Sequence, residues 1–426
     1  MRYLFLLGFV LFSSLSVRAE LVIEVTETNV QSTPIAVVPF RWESGGAQPV
    51  DFAGIVSNNL RRSGLFDPMP ESNMLSFPFP GQGISFRDWS ISRTEYLLIG
   101  NVRATPTGLE AEVELYNVIT QQRLMNRRVS GGSNNGRDIA HRVSDLVYET
   151  ITGIEGVFGT RILYVSDNGK IGDDAVFSLM MSDQDGEREQ LVLESSQPIM
   201  SPTWSPDGKS IAYVSFQTGR SAIFIQNLST GRQEQITDFQ GINGAPVWSP
   251  DASKMAMVLS KDGDPEIYVM DLATKQLQRI TRHFAIDTEP NWTPDGQSIV
   301  FTSDRGGRPQ IYQVEVSSGR TTRLTFEGDY NARPRLSKDG RFLVMVHRRN
   351  GQFHIAVQDL QDDRVIIVTQ TSLDESPTVA PNGALVMYAT KRQGKGILAV
   401  VSLDAGVKYS LPSQAGNVRE PAWSPN

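Results

Sequence analysis

The chain has 426 residues, no cysteine, 20% charged side chains and a formal net charge of −7. The missing cysteines exclude disulfides and thiolate metal sites, and the acidic balance argues against nucleic acid or an anionic membrane as partner. The length suits two or three domains with ample core.

Met1 to Ala19 reads as a secretory leader. Arg2 supplies its charge, Tyr3 to Phe12 its apolar run, and Val17-Arg18-Ala19 places small residues at the two cleavage positions. The apolar run is shorter than the roughly twenty residues a membrane span needs. Cleavage after Ala19 is predicted, giving an exported, soluble chain. Losing Arg2 and Arg18 lowers the basic count from 40 to 38 against 47 acidic side chains, a formal charge of −9.

Residues 20–33 form a candidate mobile segment. Glu20, Leu21, Val22, Ile23, Glu24 and Val25 are strand-like, and the stretch from Thr26 is polar. Such a segment can pair with a sheet edge, its own or a partner's. The plainer alternative is an edge strand of the domain that follows.

Residues 34–155 carry mixed helix and strand patterns, predicting an α/β or α+β domain. Pro34 to Phe40 and Tyr96 to Val102 read as buried strands. Phe52 to Leu65 has helical spacing and a stop at Gly64; Asp138 to Ile151 is a second amphipathic helix. Glu110 to Val118 and Arg123 to Val129 alternate as a hairpin, and Gly153 to Gly159 is the expected junction.

Residues 160–426 repeat. Trp204-Ser205-Pro206-Asp207-Gly208 returns as Trp248-Ser249-Pro250-Asp251-Ala252 and Trp292-Thr293-Pro294-Asp295-Gly296, with weaker copies from Leu336 and Val379 and a stub at Trp423. The proline two residues ahead is the ruler: Pro202, Pro246, Pro290, Pro334, Pro377, Pro421, at steps of 44, 44, 44, 43 and 44. Each interval holds four short strand-like runs with turn punctuation, the pattern of a propeller blade. The unit before Pro202 lacks its leading strand, and the stub from Pro421 supplies it. A six-bladed all-β propeller, closed by the C-terminal strand, is predicted. The tryptophans are expected to fill the space between blades and the Ser-Pro-Asp-Gly turns to cap hairpins.

Catalytic patterns are missing. The sequence has no Gly-x-Ser-x-Gly elbow and no phosphate-cradling glycine loop. His141, His283, His347 and His354 show no metal pairing, and His347 and His354 read as surface residues of a hairpin. Asp183-x-Asp185-Gly186 lacks the remaining ligands of a calcium loop and reads as a turn. No enzyme, cofactor or metal is expected, and binding is favoured. The residues just before the ruler prolines are Ser201, Ala245, Glu289, Arg333, Ser376 and Glu420. They vary on a monotonous frame, where recognition usually sits. Placed ahead of the inner strands, they would ring an entrance, with Glu289 and Glu420 facing across the axis. An exported propeller enzyme, or a propeller binding peptide or carbohydrate, is the competing reading.

Leader, small α/β domain and six Pro-x-Trp-Ser-Pro-Asp-Gly blades together resemble the TolB family of the Gram-negative Tol-Pal system. Pro34-Ile35-Ala36-Val37-Val38-Pro39-Phe40, Ser63-Gly64-Leu65-Phe66, Asn243-Gly244-Ala245-Pro246 and Phe301-Thr302-Ser303-Asp304 also fit. The resemblance implies a non-enzymatic periplasmic scaffold, monomeric on its own, supporting outer-membrane integrity and constriction at division. It implies contact at the propeller mouth with Pal, the peptidoglycan-associated lipoprotein, and hence peripheral association with the outer membrane. It implies contact with TolA through the segment from Glu20, and use of the same mouth by bacteriocins. Carried over by motif, Asn243, Gly244, Ala245, Thr288 and Glu289 are the Pal-contact positions. Ile242 departs from the histidine the family often has there.

Overall fold

The computed structural model describes residues 32–411 and 416–426 and the backbone of Ile23–Val25; the expected leader and Glu20 to Val22 lie outside the described residues. No helix among the described residues is long and apolar enough to cross a membrane.

The first unit is a sheet with helices. Its strands are β2 (Thr33–Val37), β3 (Arg41–Trp42), β4 (Phe66–Pro68), β5 (Tyr96–Thr105), β6 (Gly108–Asn117) and β7 (Gln122–Gly131), in the order β4-β2-β5-β6-β7 with β3 pairing β5. β2 runs parallel to β4 and β5, and β5-β6-β7 is an antiparallel meander. Helices α1 (Phe52–Arg62) and α3 (Gly136–Thr152) pack on one face, burying Phe52, Val56, Leu60, Ile139, Val143 and Val147 against Leu98, Val113 and Leu115. The short α2 (Phe86–Ile91) contributes Trp89 to a second cluster with Ala36, Leu97 and Ile99. Asp51 caps α1 by accepting from the Gly54 N–H at 2.9 Å. Gly64, at φ +74°, follows α1 where the second unit closes in: a Cβ there would sit 1.7 Å from Val407 Cγ2.

The second unit is a wheel of six antiparallel sheets, blades 1 to 6 in chain order, each of four strands from the repeat region, with one further strand added to blade 6. Blade 3 shows the pattern: Asn243–Trp248 inside, then Lys254–Leu259, Glu266–Asp271 and Leu277–Arg279 outward. Blade 1 draws on both ends of the repeat. Its inner strand is Asn417–Trp423, paired antiparallel with Arg161–Asp167 from Asn417 opposite Asp167 to Trp423 opposite Ile162. Arg161 and Ser424 exchange two further hydrogen bonds, at 2.9 and 2.8 Å.

The repeated phrase is framework. The Trp204 indole N–H donates to the Ala422 carbonyl of the preceding blade at 3.0 Å, and Trp292 does the same to Val247 at 3.3 Å. In four of the turns a hydroxyl donates to the aspartate, as Ser205 does to Asp207 at 2.6 Å, and accepts the first N–H of the next strand; the copy at Ala380-Pro381-Asn382 has neither group. The Ser249 hydroxyl, joined by Ser253, holds the Asp251 carboxyl down to about 2. The fourth turn residue is left-handed: Gly208 at φ +67°, Gly296 at +69° and, without glycine's freedom, Ala252 at +60°.

Two expectations need correction. Ile23–Val25 forms β1, but it is not an edge strand of the first unit. It adds antiparallel to Val407–Ser410 on the outer edge of blade 6, Ile23 opposite Tyr409 and Val25 opposite Val407. His347 and His354 are buried, not superficial. Their hairpin strands run eight residues each, Phe342–Arg349 and Gln352–Asp359, which sets the two histidines opposite one another within the sheet.

Candidate functional site

Ser201, Ala245, Glu289, Arg333, Ser376 and Glu420 do form a ring, at a different level from the one expected. They lie in the middle of the inner strands, not ahead of them. Each has left-handed φ: 49°, 45°, 55°, 55°, 53° and 50° in that order. The antiparallel register shifts across each one and its proline, for example between Met200 and Thr203 and between Thr288 and Asn291. This is a β-bulge repeated in all six blades. Proline suits the bulge because it has no N–H to lose from the ladder. The left-handed turn then aims the residue before it at the axis. None of the six is β-branched, as φ near +50° demands.

The ring divides two cavities. On one side is a mouth of about 570 Å³ on blades 5, 6 and 1, with Tyr330, Ala332, Glu375 and Arg419 among its lining and Glu289 reaching it from blade 4. On the other is a channel chamber of about 310 Å³, lined by residues that follow the bulge. Glu289 and Arg333 touch both.

Ring side chains bond to neighbouring blades. Glu289 Oε1 meets Arg333 Nε at 2.9 Å, and its Oε2 accepts the Arg333 backbone N–H at 2.9 Å and the Thr302 hydroxyl at 2.9 Å. Arg333 donates onward to the Ser376 hydroxyl. Glu420 accepts the Ser201 backbone N–H. Glu289 and Glu420 therefore occupy opposite blades, as predicted, but each turns sideways to the next blade. Burial works against the Arg333 charge, and Glu289, Glu420 and Glu375 outweigh it, so the proton is held more tightly than usual.

Among the positions carried over by motif, Gly244, Ala245, Thr288 and Glu289 are half-buried at the ring and mouth. Asn243 is fully buried, and its amide closes the loop before it by donating to the Phe239 carbonyl at 2.8 Å and the Gly241 carbonyl at 3.3 Å. It shapes the mouth and offers no free polar atom to a partner. Ile23, Glu24 and Val25 lie away from the ring, on the outer edge of blade 6, and are not brought to it.

Sequence reasoning missed an apolar rim. Ile242, Ile286, Tyr330 and Leu373 each stand four residues before a ruler proline, on blades 3 to 6. Ile242, Ile286 and Leu373 are about half exposed, and Phe284 beside them is 82% exposed. The same ruler that located the ring would have found them. Large apolar side chains exposed together mark interaction surfaces.

A second polar cluster lies between the two units. His141, Asp183 and Asp185 have ligand atoms within 4.8 Å of one another. The carboxylates are already matched, so the donor set does not suit a cation: Arg62 and Arg137 reach Asp185 at 3.2 and 2.7 Å, and Arg188 reaches Asp183 at 2.8 Å. Burial opposes the Asp183 charge, but His141 and Arg188 hold the carboxyl well below its usual range. The Asp183-x-Asp185 sequence is thus a junction between units.

Two family descriptions match the chain: TolB amino-terminal domain over residues 21–124 and TolB beta propeller domain over residues 148–426. The chain belongs to the TolB family. The Tol-Pal system protein TolB of Pseudomonas fluorescens is 58% identical over 405 residues, covering 94% of this chain and 93% of the relative. That of Pseudomonas syringae pv. syringae is 58% identical with the same coverage. The crystal structure of TolB from Acinetobacter baumannii superposes with a TM-score of 0.87 at 43% identity, covering 96% of this chain and all of that one. The six blades and the preceding α/β unit are therefore the TolB architecture, and the chain takes its place in the Tol-Pal system.

Proposed function

We propose that this chain is a non-enzymatic periplasmic scaffold of the Tol-Pal system, binding Pal at the propeller mouth and TolA through the segment from Glu20. The observation that carries the Pal assignment is the mouth itself. A concave opening of about 570 Å³ is lined by Tyr330 and Leu373 and reaches the charged ring at Glu289 and Arg333, and exposed Ile242 and Ile286 hold the corresponding positions on blades 3 and 4. An apolar surface around a few fixed polar groups is the usual form of a protein-binding site. The scaffold reading is supported by how the ring's charges are used: Glu289, Arg333 and Glu420 bond to neighbouring blades instead of standing as nucleophile beside base. The TolA assignment is supported by a segment held to the rest by a three-residue edge pairing. Such pairings open more readily than a blade interior.

Purified Pal immobilised for pull-down and titration decides the first assignment. Glu289→Lys reverses the charge beside Arg333 and is expected to weaken Pal binding at least tenfold, with circular dichroism reporting an intact fold. Wild-type protein that ignores Pal, or a variant that binds unchanged, refutes the site. Deleting Glu20 to Ser32 is expected to abolish TolA binding and leave Pal binding in place; TolA binding that survives the deletion refutes the second assignment.

A further inference from the structure

The channel chamber has a second ring of side chains, two residues past the first: Thr203, Val247, Asn291, Arg335, Thr378 and Ala422. All six line the chamber and all six are half-buried. None is acidic. Two of their acceptors are engaged across blade boundaries: Asn291 Oδ1 accepts the Leu336 N–H at 3.2 Å and the Thr378 hydroxyl oxygen accepts the Trp423 N–H at 3.1 Å. Beside Arg335, on blades 4 to 6, this leaves donors: the Asn291 amide hydrogens, the Thr378 hydroxyl and the Arg335 guanidinium; the Thr203 hydroxyl, on blade 2, can donate or accept.

Arg335 differs from its neighbour Arg333. Its guanidinium donates to the Pro334 carbonyl at 2.8 Å, and no carboxylate among the described residues is in ion-pair contact with it. The two carboxylates of the chamber wall are committed elsewhere, Glu289 to Arg333 and Glu420 to the Ser201 N–H. Burial, with the nearby Arg333 charge, pulls Arg335 down to about 10, and Glu289 and Glu420 do not restore it. A partly desolvated guanidinium without an ion-pair partner is costly, and its planar fork matches a carboxylate or oxyanion.

We infer that the chamber is a binding site for a small oxyanion, a carboxylate or a tetrahedral anion, seated on Arg335 and ordered by Asn291 and Thr378. The site lies on the far side of the ring from the mouth, and its occupancy does not rest on the Pal assignment.

The test uses the full mature chain with sodium sulfate as probe, against sodium chloride at matched ionic strength. Sulfate is expected to raise the melting temperature saturably, with direct binding seen by calorimetry. Arg335→Gln removes the cation and Asn291→Asp supplies an internal counter-charge while keeping the acceptor for Leu336. Both are expected to lose at least tenfold in sulfate affinity, and Arg335→Gln to melt no lower than wild type in chloride. Arg127→Gln, on the exposed edge of β7, is expected to bind as wild type does. Crystals soaked in selenate are expected to show an anomalous peak beside Arg335. Competition by acetate identifies a carboxylate ligand, and competition by phosphate alone a tetrahedral one. A melting temperature that rises without saturating, unchanged affinity in both variants, or a selenate peak only outside the chamber overturns the inference.

Discussion

Trp423 is the residue on which closure of the wheel depends, and replacing it by alanine measures that dependence. Its indole is 6% exposed, packed in a cluster with Val157, Ile162 and Tyr164, and its N–H donates to the Thr160 hydroxyl at 2.7 Å. Emptying such a site costs about 3 to 5 kcal/mol in other proteins, and loss of the hydrogen bond is worth about 1 kcal/mol of that order. An overall loss of about 4 kcal/mol is expected. With a urea dependence of roughly 3 kcal/mol per molar, the midpoint followed by far-ultraviolet circular dichroism should fall by roughly 1.3 M. Trp248→Ala is the matched control. That tryptophan opens the same phrase in blade 3, but it is only half-buried and its indole N–H has no partner. Its loss is expected to cost about half as much. If the two variants fall equally, the terminal strand is no more critical than any inner strand, and the closure argument fails.

Ala252 occupies a left-handed position that glycine fills in the neighbouring blades. Ala252→Gly is expected to stabilise by about 0.5 to 1 kcal/mol, the left-handed penalty less glycine's added entropy, and a urea midpoint that falls instead would contradict it. The acid response divides between two carboxyls, Asp145, half-buried, and Asp183, buried. Burial raises Asp145 to about 6, although it accepts the Phe158 N–H at 2.7 Å and is near His141, and Glu155 raises it further. Its folded value lies above its unfolded one, so its contribution is full below about pH 4 and lost as the pH rises through about 6, a difference of about 3 kcal/mol. Asp145→Asn should therefore gain on wild type by that amount between pH 4 and pH 7, as read from paired denaturation curves. Asp183 behaves oppositely, because its folded value is depressed. Asp183→Asn should be most damaging at neutral pH, with the gap closing as acid protonates the wild-type carboxyl; a gap independent of pH would refute the pairing with Arg188 and His141.

The wheel was legible because its physical requirements recur. A bulge in each blade suits a residue without an N–H, and proline at steps of 43 or 44 residues meets that need in plain view. The stub at Trp423 announced its partner by what the first blade lacked. The level of the ring was not legible. Ser201, Ala245, Glu289 and Arg333 adopt left-handed φ without the glycine that would signal it, so the strand seemed to begin at the proline. Nor was the partner of β1, since a three-residue edge pairing with Val407–Ser410 rests on backbone groups that any sequence supplies. β3, β4 and α2 escaped because two, three and six residues are too few to show a period. His347 and His354 were misplaced because longer strands carried them inside.

The six bulges have a consequence for how this architecture can change. The backbone twist at each goes with the strand and its proline, while the side chain ahead of the proline is used differently around the wheel: Glu289, Arg333 and Glu420 brace neighbouring blades, and Ala245 has no polar side-chain atom to do so. Branching at Cβ is barred there, and nearly every other chemistry is admitted. The axis of the wheel thus carries six sockets on one mounting, some braced to the next, whose chemistry can change residue by residue while the tryptophans and turns outside remain untouched.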